Sequence, residues 1–460
     1  MRLLFIFFLK YILPLLVLAT LTTWLVKRWN VWFGNSPEEP YTAQPYLDRV
    51  LLTFGDEREN SRNVSWQCDS VVRDSYVELI CLADNDTTRI EAQGEVFQSR
   101  CGRAAYYVAR LRNLRPDCQY TYRAVTDTMC SPWYSFQTYP IGRHRFSFLY
   151  VGDIQDTLMG QTNRFLREAL VRHPKTEFLV CGGDLTERPA EQHWAETFRD
   201  VDSVAQTMPL LVVTGNHDYL KGLIRRLERR FTLVFSYFLD SEVGRNQVYS
   251  MRYGSAEFFL LDSNRELPYL LTQRRWLEKR LQESQAHWKI LVLHHPLYSL
   301  KGKNNLVQRW VFDGLIRKYG VDLVLQGHEH AYARMTNIDT KLIHKTTPVY
   351  TVSHCSPKNY RIQFDKRFDK FGISSRYYQT VEVKEDTLVL AAYEVYDHHL
   401  YDSLRIVKHG INGTTNIEDL GRDIPECLEY TPNPQKKKDL KFARRIKEYQ
   451  KRKHLHINVP

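Results

Sequence analysis

The 460-residue chain is 43% hydrophobic, 13% aromatic and 25% charged, a globular composition that excludes long disorder, collagen-like repeats and a many-pass membrane protein. Its formal charge of +11 is concentrated, because residues 436–453 hold ten Lys or Arg against Asp439 and Glu448 and so carry +8 of it. The rest of the chain is near neutral, which argues against a nucleic-acid-binding body with charge spread along a face or groove.

Leu3 to Val26 form the only long apolar run, broken by Lys10 and Pro14. About 20 apolar helical residues cross a bilayer core, and Lys10, near one end, can snorkel to the headgroups. The run is longer than the apolar part of a cleaved signal and no A-x-A-like site follows, so residues 1–28 read as an uncleaved signal anchor. The rest of the chain is then expected to be membrane-anchored and exported, periplasmic or extracytoplasmic. Arg2 and Lys10 oppose Lys27 and Arg28, so flanking charge leaves the orientation open. A polar linker with three prolines, Asn35 to Pro45, comes next.

Residues 46–140 contain the runs RVLLTFG, NVSWQC, YVELICLA, YYVARL, CQYTYRAV and WYSFQTY, short and rich in β-branched and aromatic residues. They predict a small all-β sandwich. Five of the eight cysteines (Cys68, Cys81, Cys101, Cys118, Cys130) fall here without CxxC spacing, so one or two disulfides are expected rather than a zinc site. Asn63, Asn85 and Asn412 match glycosylation sequons.

From Arg145 the pattern changes. The strand-like runs FSFLYV, EFLVC, LLVVT, EFFLLD, KILVL and DLVLQ alternate with helical patterns such as TQRRWLEKRLQES and LVQRWVFDGLIRKYG, and VYTVS, YYQTVEVKED and TLVLAAYEV follow. Residues 145–408 are therefore expected to form an α/β domain, a β-sandwich flanked by helices, with Trp276 and Trp310 in its core. Residues 409–460 read as a basic C-terminal tail, a loop and a solvated, partly disordered helix.

Most of the strand-like runs end in polar residues suited to a metal: Gly152-Asp153-Ile154-Gln155, Gly183-Asp184, Gly215-Asn216-His217-Asp218, His294-His295-Pro296 and Gly327-His328-Glu329-His330. Spacings of about thirty residues fit βαβ units, which return the chain to the same sheet edge and gather these loops at the strands' carboxyl ends. Singly, a Gly-Asp is a turn and a His a structural residue. Together they supply carboxylates, an amide and imidazoles, a donor set for Mn, Zn or Fe rather than a structural zinc. Two divalent ions sharing a central Asp lower the pKa of a water between them and create a nucleophile.

The order GD, GGD, GNHD, LHHP, GHEHAY resembles the calcineurin-like metallophosphoesterases. Tyr332 and Arg334 after the last histidine, and Pro296 and Tyr298 after His294, are similar to the purple acid phosphatase branch, whose fibronectin type III-like domain VSWQC and LRNLRPDCQYTYR resemble. The resemblance implies that Asp153 and His330 bind a first metal, with Gln155 beside them as a weak ligand. Asp184 bridges, and Asn216, His294 and His328 bind the second metal. His217 faces the phosphoryl group as the catalytic residue, while His295, Tyr298 and Tyr332 line the substrate pocket. It implies a phosphate monoesterase on a phosphorylated small molecule or phosphoester, in which a metal-bridging hydroxide attacks in line and no phosphoenzyme forms. A phosphodiesterase on the same site, or an anchored binding protein with a vestigial site, are the alternatives. Two positions depart from the family. Glu187 stands where the purple enzymes carry a tyrosinate, so no ferric colour is expected, and Gln155 stands where other relatives carry a His.

Overall fold

A computed structural model describes residues 2–55, 59–156, 160–237, 243, 247–339, 344–409 and 415–457. Beyond residue 144 the chain is built on two facing sheets. In the first, Arg145–Val151, Thr176–Cys181 and Leu210–Val212 run parallel and adjacent, and an antiparallel ribbon from Tyr377–Lys384 to Thr415–Asp419 extends it on the other side. The second centres on parallel strands Ala256–Leu261, Trp288–Leu293, Leu323–Gln326 and His344–Val352. The strand spacing suggests one sheet edge; instead the antiparallel pair Tyr249–Tyr253 and Ala256–Leu261 opens a new sheet after the third parallel strand. Aromatic rings join the layers: Phe258 of the second sheet meets Phe148 and Phe178 of the first edge-on, with centroids 5.2 and 5.6 Å apart. Both sheets therefore deliver their carboxyl ends to the same region.

Helices cover the outer faces. Leu267–Glu283 buries Trp276, Leu277 and Leu281, as its spacing predicts. Leu306–Lys318 buries Val311, Phe312, Leu315 and Ile316, which turns Trp310 outward, 68% exposed. The expectation that Trp310 is core is thus corrected: it lies about 100° of helical rotation before the buried stripe.

The first domain is a β-sandwich around Trp66, stacked on Tyr107 at 5.5 Å. The sequence reading misses its longest strand, Asp86–Gln98, because that strand is polar and largely exposed and shows no apolar alternation. The domain is fused to the catalytic sheet: Leu210 pairs with Thr53, the Leu52 amide donates to the Ala205 carbonyl, and the Tyr122 hydroxyl donates to the Gln206 carbonyl. All eight cysteines are free in the structure, with Cys81 and Cys118 in side-chain contact. Asn63 is buried and its amide donates to the Ser236 carbonyl, so this sequon is occupied by packing. Asn85 is exposed, and Asn412 lies outside the described residues.

Two expected loose segments are ordered. The Asn35–Pro45 linker is a strap: Tyr41–Thr42 pairs with Gly102–Arg103, and the buried Glu38 carboxylate pairs with Arg230 and accepts from the amides of Glu191 and Cys101. Removing one member of a buried pair costs about 3–5 kcal/mol, which explains why a proline-rich stretch lies still. The basic tail ends in helix Lys437–Ile457, which buries Phe442 and Ile446 and stacks Tyr449 on Phe364 at 4.7 Å. Its apolar residues recur at i, i+4 and i+7, so it docks on the catalytic body rather than standing free in solvent.

Candidate metal centre

The parallel strands end in backbone shapes that few side chains adopt. Asp153, Gln155, Asp184 and His328 all have positive φ, at 47°, 38°, 50° and 70°. Left-handed non-glycine residues are uncommon and gather where surrounding structure forces them, often at functional sites. Glycines make the approach possible: a Cβ on Gly215 would stand 2.0 Å from Asp184 Oδ1, and one on Gly327 2.6 Å from Asp153 Oδ2.

Backbone amides orient each carboxylate and leave one oxygen over. The His217 amide donates to Asp184 Oδ1 at 2.7 Å, while Oδ2 faces His294 Nε2 at 3.2 Å. The His328 amide donates to Asp153 Oδ2 at 2.6 Å. Asp153 Oδ1 is buried without a hydrogen-bond partner and lies 3.9 Å from both His330 Nε2 and His294 Nδ1.

The imidazoles are aimed by main-chain carbonyls. His294 Nδ1 lies 2.9 Å from the Gly182 carbonyl and His330 Nδ1 3.0 Å from that of Lys358. Those contacts commit Nδ1–H and turn each Nε2 inward. His294 Nε2 is 3.1 Å from Asn216 Oδ1 and 3.2 Å from His328 Nδ1. Donor atoms of Asp184, His294 and His328 all lie within 4.8 Å of one another, a geometry fit for one ion.

Electrostatics suit cations. Burial, joined by the Asp184 charge, pushes the Asp153 carboxyl well above the usual range. Burial would raise Asp184 too, but the His294 charge holds it low; the two carboxylates in turn overcome burial and push His294 up to about 9. Burial lowers His330 to about 3 and, with His295 and His294, lowers His328, so both keep neutral lone pairs. A carboxylate oxygen without a partner, facing lone pairs without protons, is what a divalent cation satisfies. The donor set fits metal.

His217 differs from these. Its Nδ1 contacts the Glu187 carbonyl at 2.5 Å, its Nε2 stands 4.0 Å from Asp184 Oδ2, and its side chain is one-third exposed. It borders a cleft of about 310 Å³ that also includes Asn216, Arg188, Lys221, Asn35 and Ser36. A larger cleft of about 810 Å³, near Glu59, Ile141 and His287, contains none of the motif residues.

The other sequence candidates separate. Gln155 is buried beside the cluster with its amide nitrogen unpartnered. His295 is buried behind His328, ring centroids 4.3 Å apart, and contacts Ser263 Oγ through Nδ1. It backs a ligand rather than lining a pocket. Tyr298 and Tyr332 are corrected as pocket residues. Tyr298 is buried, donates to Asp313 and accepts from Arg317. Tyr332 is fully buried among Tyr377 and Tyr401 and donates to Asp402. Both tyrosines follow a histidine motif closely, but the loop after Trp288–Leu293 turns Tyr298, and the start of strand Tyr332–Asp339 turns Tyr332, into the core.

Sequence reasoning also misses residues. Tyr360 stacks on His330 at 4.1 Å, Lys301 Nζ lies 3.8 Å over the Tyr360 ring, and Lys358 pairs with Glu187. They lie on loops outside the five motifs, so no spacing marks them. Asp218, the end of Gly-Asn-His-Asp, is buried and accepts from the Gly215 amide at 2.7 Å, holding the loop closed.

Residues 146–332 match the calcineurin-like phosphoesterase family, and residues 47–138 the purple acid phosphatase N-terminal domain. An uncharacterized protein of Mycobacterium tuberculosis is 24% identical over 66% of this chain and 64% of its own length. The probable purple acid phosphatase 20 of Arabidopsis thaliana is 26% identical over 52% of this chain and 57% of its own. The matched stretch thus spans less than two thirds of either relative. Among solved structures, a purple acid phosphatase from yellow lupin (Lupinus luteus) seeds superposes with a TM-score of 0.65 at 18% identity, covering 79% of this chain and 74% of that one. PhoD superposes at 0.60 with 13% identity, covering 90% and 100%. Residues 146–332 are thus similar to the calcineurin-like phosphoesterases and residues 47–138 to the N-terminal domain of purple acid phosphatases, and the fold of the whole is like that of the lupin enzyme.

Proposed function

We propose that the protein is a metal-dependent phosphohydrolase acting on phosphate monoesters. The observation that carries this is the convergence of Asp184, His294 and His328 donor atoms within 4.8 Å, with Asp153 and His330 alongside and His217 facing a cleft. Asp153 and His330 would hold one divalent ion and Asn216, His294 and His328 a second, with Asp184 placed to serve both. When bound, such ions would neutralise phosphoryl charge and supply a water of lowered pKa. Phosphoryl transfer otherwise needs positioning and a proton for the leaving oxygen. His217, anchored at Nδ1 by Glu187, presents Nε2 to the cleft for that proton, and Arg188 and Lys221 supply positive charge to draw the phosphate in.

The same reading makes the N-terminal helix a membrane anchor. Phe5–Phe33 is apolar and none of it is buried in the protein. Trp24, Trp29 and Trp32 cluster towards its end, where aromatic belts sit. The test is metal analysis of the purified chain combined with p-nitrophenyl phosphate and bis-p-nitrophenyl phosphate assays. Two ions and a faster monoester rate are expected; a faster diester rate overturns the monoester assignment.

A further inference from the structure

The anchor and the cleft share a wall. Helix Leu13–Phe33 ends at Gly34, and the next residues, Asn35 and Ser36, border the cleft beside His217. They are fixed there. Asn35 exchanges two hydrogen bonds with the Lys221 backbone, at 2.7 and 3.0 Å, and Lys221 Nζ donates to the Val31 carbonyl at 3.1 Å. Arg100 donates to the Ser36 carbonyl at 2.7 Å, and Arg188 to the Ser36 hydroxyl. Glu38, two residues on, is locked to Arg230. The strap leaves the catalytic body no slack to turn its cleft away from the helix.

Beside this wall a hairpin connects Tyr219–Leu220 to Arg226–Leu227, and its tip carries two large apolar side chains in water: Leu223 is 79% exposed and Ile224 62%. Lys221, Arg225 and Arg226 flank them. Apolar tips ringed by cations suit the interfacial layer of a bilayer, where acyl chains and phosphates meet. The hairpin begins two residues after His217, so it places the same chain segment at the lipid and at the chemistry.

The distances agree. From Lys27 and Arg28, which suit headgroup depth, to the helix end at Phe33 is six and five residues, about 8–9 Å of helix, and Asn35 follows two residues on. The polar layer on one face of a bilayer is about 5–7 Å thick. The cleft then opens within a few ångströms of the headgroups.

We propose that the substrate is a phosphate monoester borne by a lipid of the bilayer that holds the helix, reaching His217 between the helix end and the Lys221–Arg226 tip. This rests on the phosphohydrolase reading and names its substrate class. Water forms the new P–O bond, the bond from phosphorus to the lipid oxygen breaks, and a proton passes from His217 to that oxygen, releasing lipid alcohol and inorganic phosphate.

The full-length protein, reconstituted in phosphatidylcholine vesicles containing dioleoyl phosphatidic acid, provides the test. Phosphate release is expected from lipid in the protein's own vesicles and not from lipid in separate vesicles mixed with them. The double variant Leu223→Asp/Ile224→Asp should lower the rate on vesicle lipid at least ten-fold while water-soluble dibutyryl phosphatidic acid is hydrolysed within two-fold of wild type. A flexible Gly-Ser segment inserted between Phe33 and Gly34 should act in the same direction and guards against misfolding of the first variant. Equal rates on the two vesicle populations, or equal losses on soluble and vesicle lipid, would overturn the proposal. Hydrolysis of p-nitrophenyl phosphate without any of dioleoyl phosphatidic acid would overturn it alone; inactivity on every substrate would overturn the phosphohydrolase reading beneath it.

Discussion

Around Asp184, His294 Nε2 stands 3.1 Å from the Asn216 amide oxygen and 3.2 Å from both His328 Nδ1 and Asp184 Oδ2, whereas Asp153 Oδ1 has no ring nitrogen nearer than 3.9 Å, and of the two at that distance only His330 presents Nε2. Both halves use the same devices: a left-handed aspartate, a backbone amide on one carboxylate oxygen, and a ring pinned by a carbonyl. They differ in what remains for a cation. The Asp184 half offers two nitrogens, an amide oxygen and a carboxylate oxygen already gathered. The Asp153 half offers one nitrogen and one carboxylate oxygen, plus a neutral amide from Gln155. Ligand number and charge govern affinity for borderline ions, so the Asp184 half should bind more tightly. A pair of inequivalent sites also leaves one ion easier to exchange.

The largest break in that comparison is Asp184→Asn. It strips the shared ligand, so metal content should fall from two ions to nearly none and hydrolysis to background; full occupancy by elemental analysis would refute the bridge. His217→Ala should leave both ions in place while lowering kcat on an alkyl phosphate by about 10²–10⁴, the usual worth of a positioned acid. The loss on p-nitrophenyl phosphate should be smaller, because that leaving group needs less protonation.

Gly327→Ala separates the halves. Its Cβ would sit 2.6 Å from Asp153 Oδ2 and displace that carboxylate, so one ion should be lost and the one around Asp184 retained. Gly215→Ala, with a Cβ 2.0 Å from Asp184 Oδ1, should lose both. Equal losses in the two glycine variants would mean that the halves are not independent. The gentlest change sharpens the contrast. Gln155→His replaces a neutral amide with an imidazole and should tighten the weaker ion by about ten-fold, seen as resistance to a chelator; no change would show that position 155 does not reach the ion.

Both halves were legible at the ends of apolar strands. Asn216, His294 and His328 follow strands whose apolar runs are unmistakable, and the glycines before Asp184, Asn216 and His328 mark where the backbone crowds. What the sequence hid depends on packing from elsewhere. Tyr360 and Lys301 reach the site from loops without a motif, while Tyr298 and Tyr332, beside motifs, point into the core. The polar strand Asp86–Gln98 is held by pairing with both neighbours, which leaves no trace in its own pattern. The strap read as a linker because prolines and polar residues fit both states; contacts distant in sequence distinguish them, such as the buried Glu38–Arg230 pair, 192 residues apart.

Metal titration of the stripped protein tests the central claim most directly, reading stoichiometry and affinity for Mn²⁺ in wild type, His294→Ala and His330→Ala. The inequivalent pair predicts two ions per chain in wild type, loss of the tighter one in His294→Ala, and loss of only the weaker one in His330→Ala. A single ion per chain in wild type, or loss of the tighter ion in His330→Ala, would contradict it.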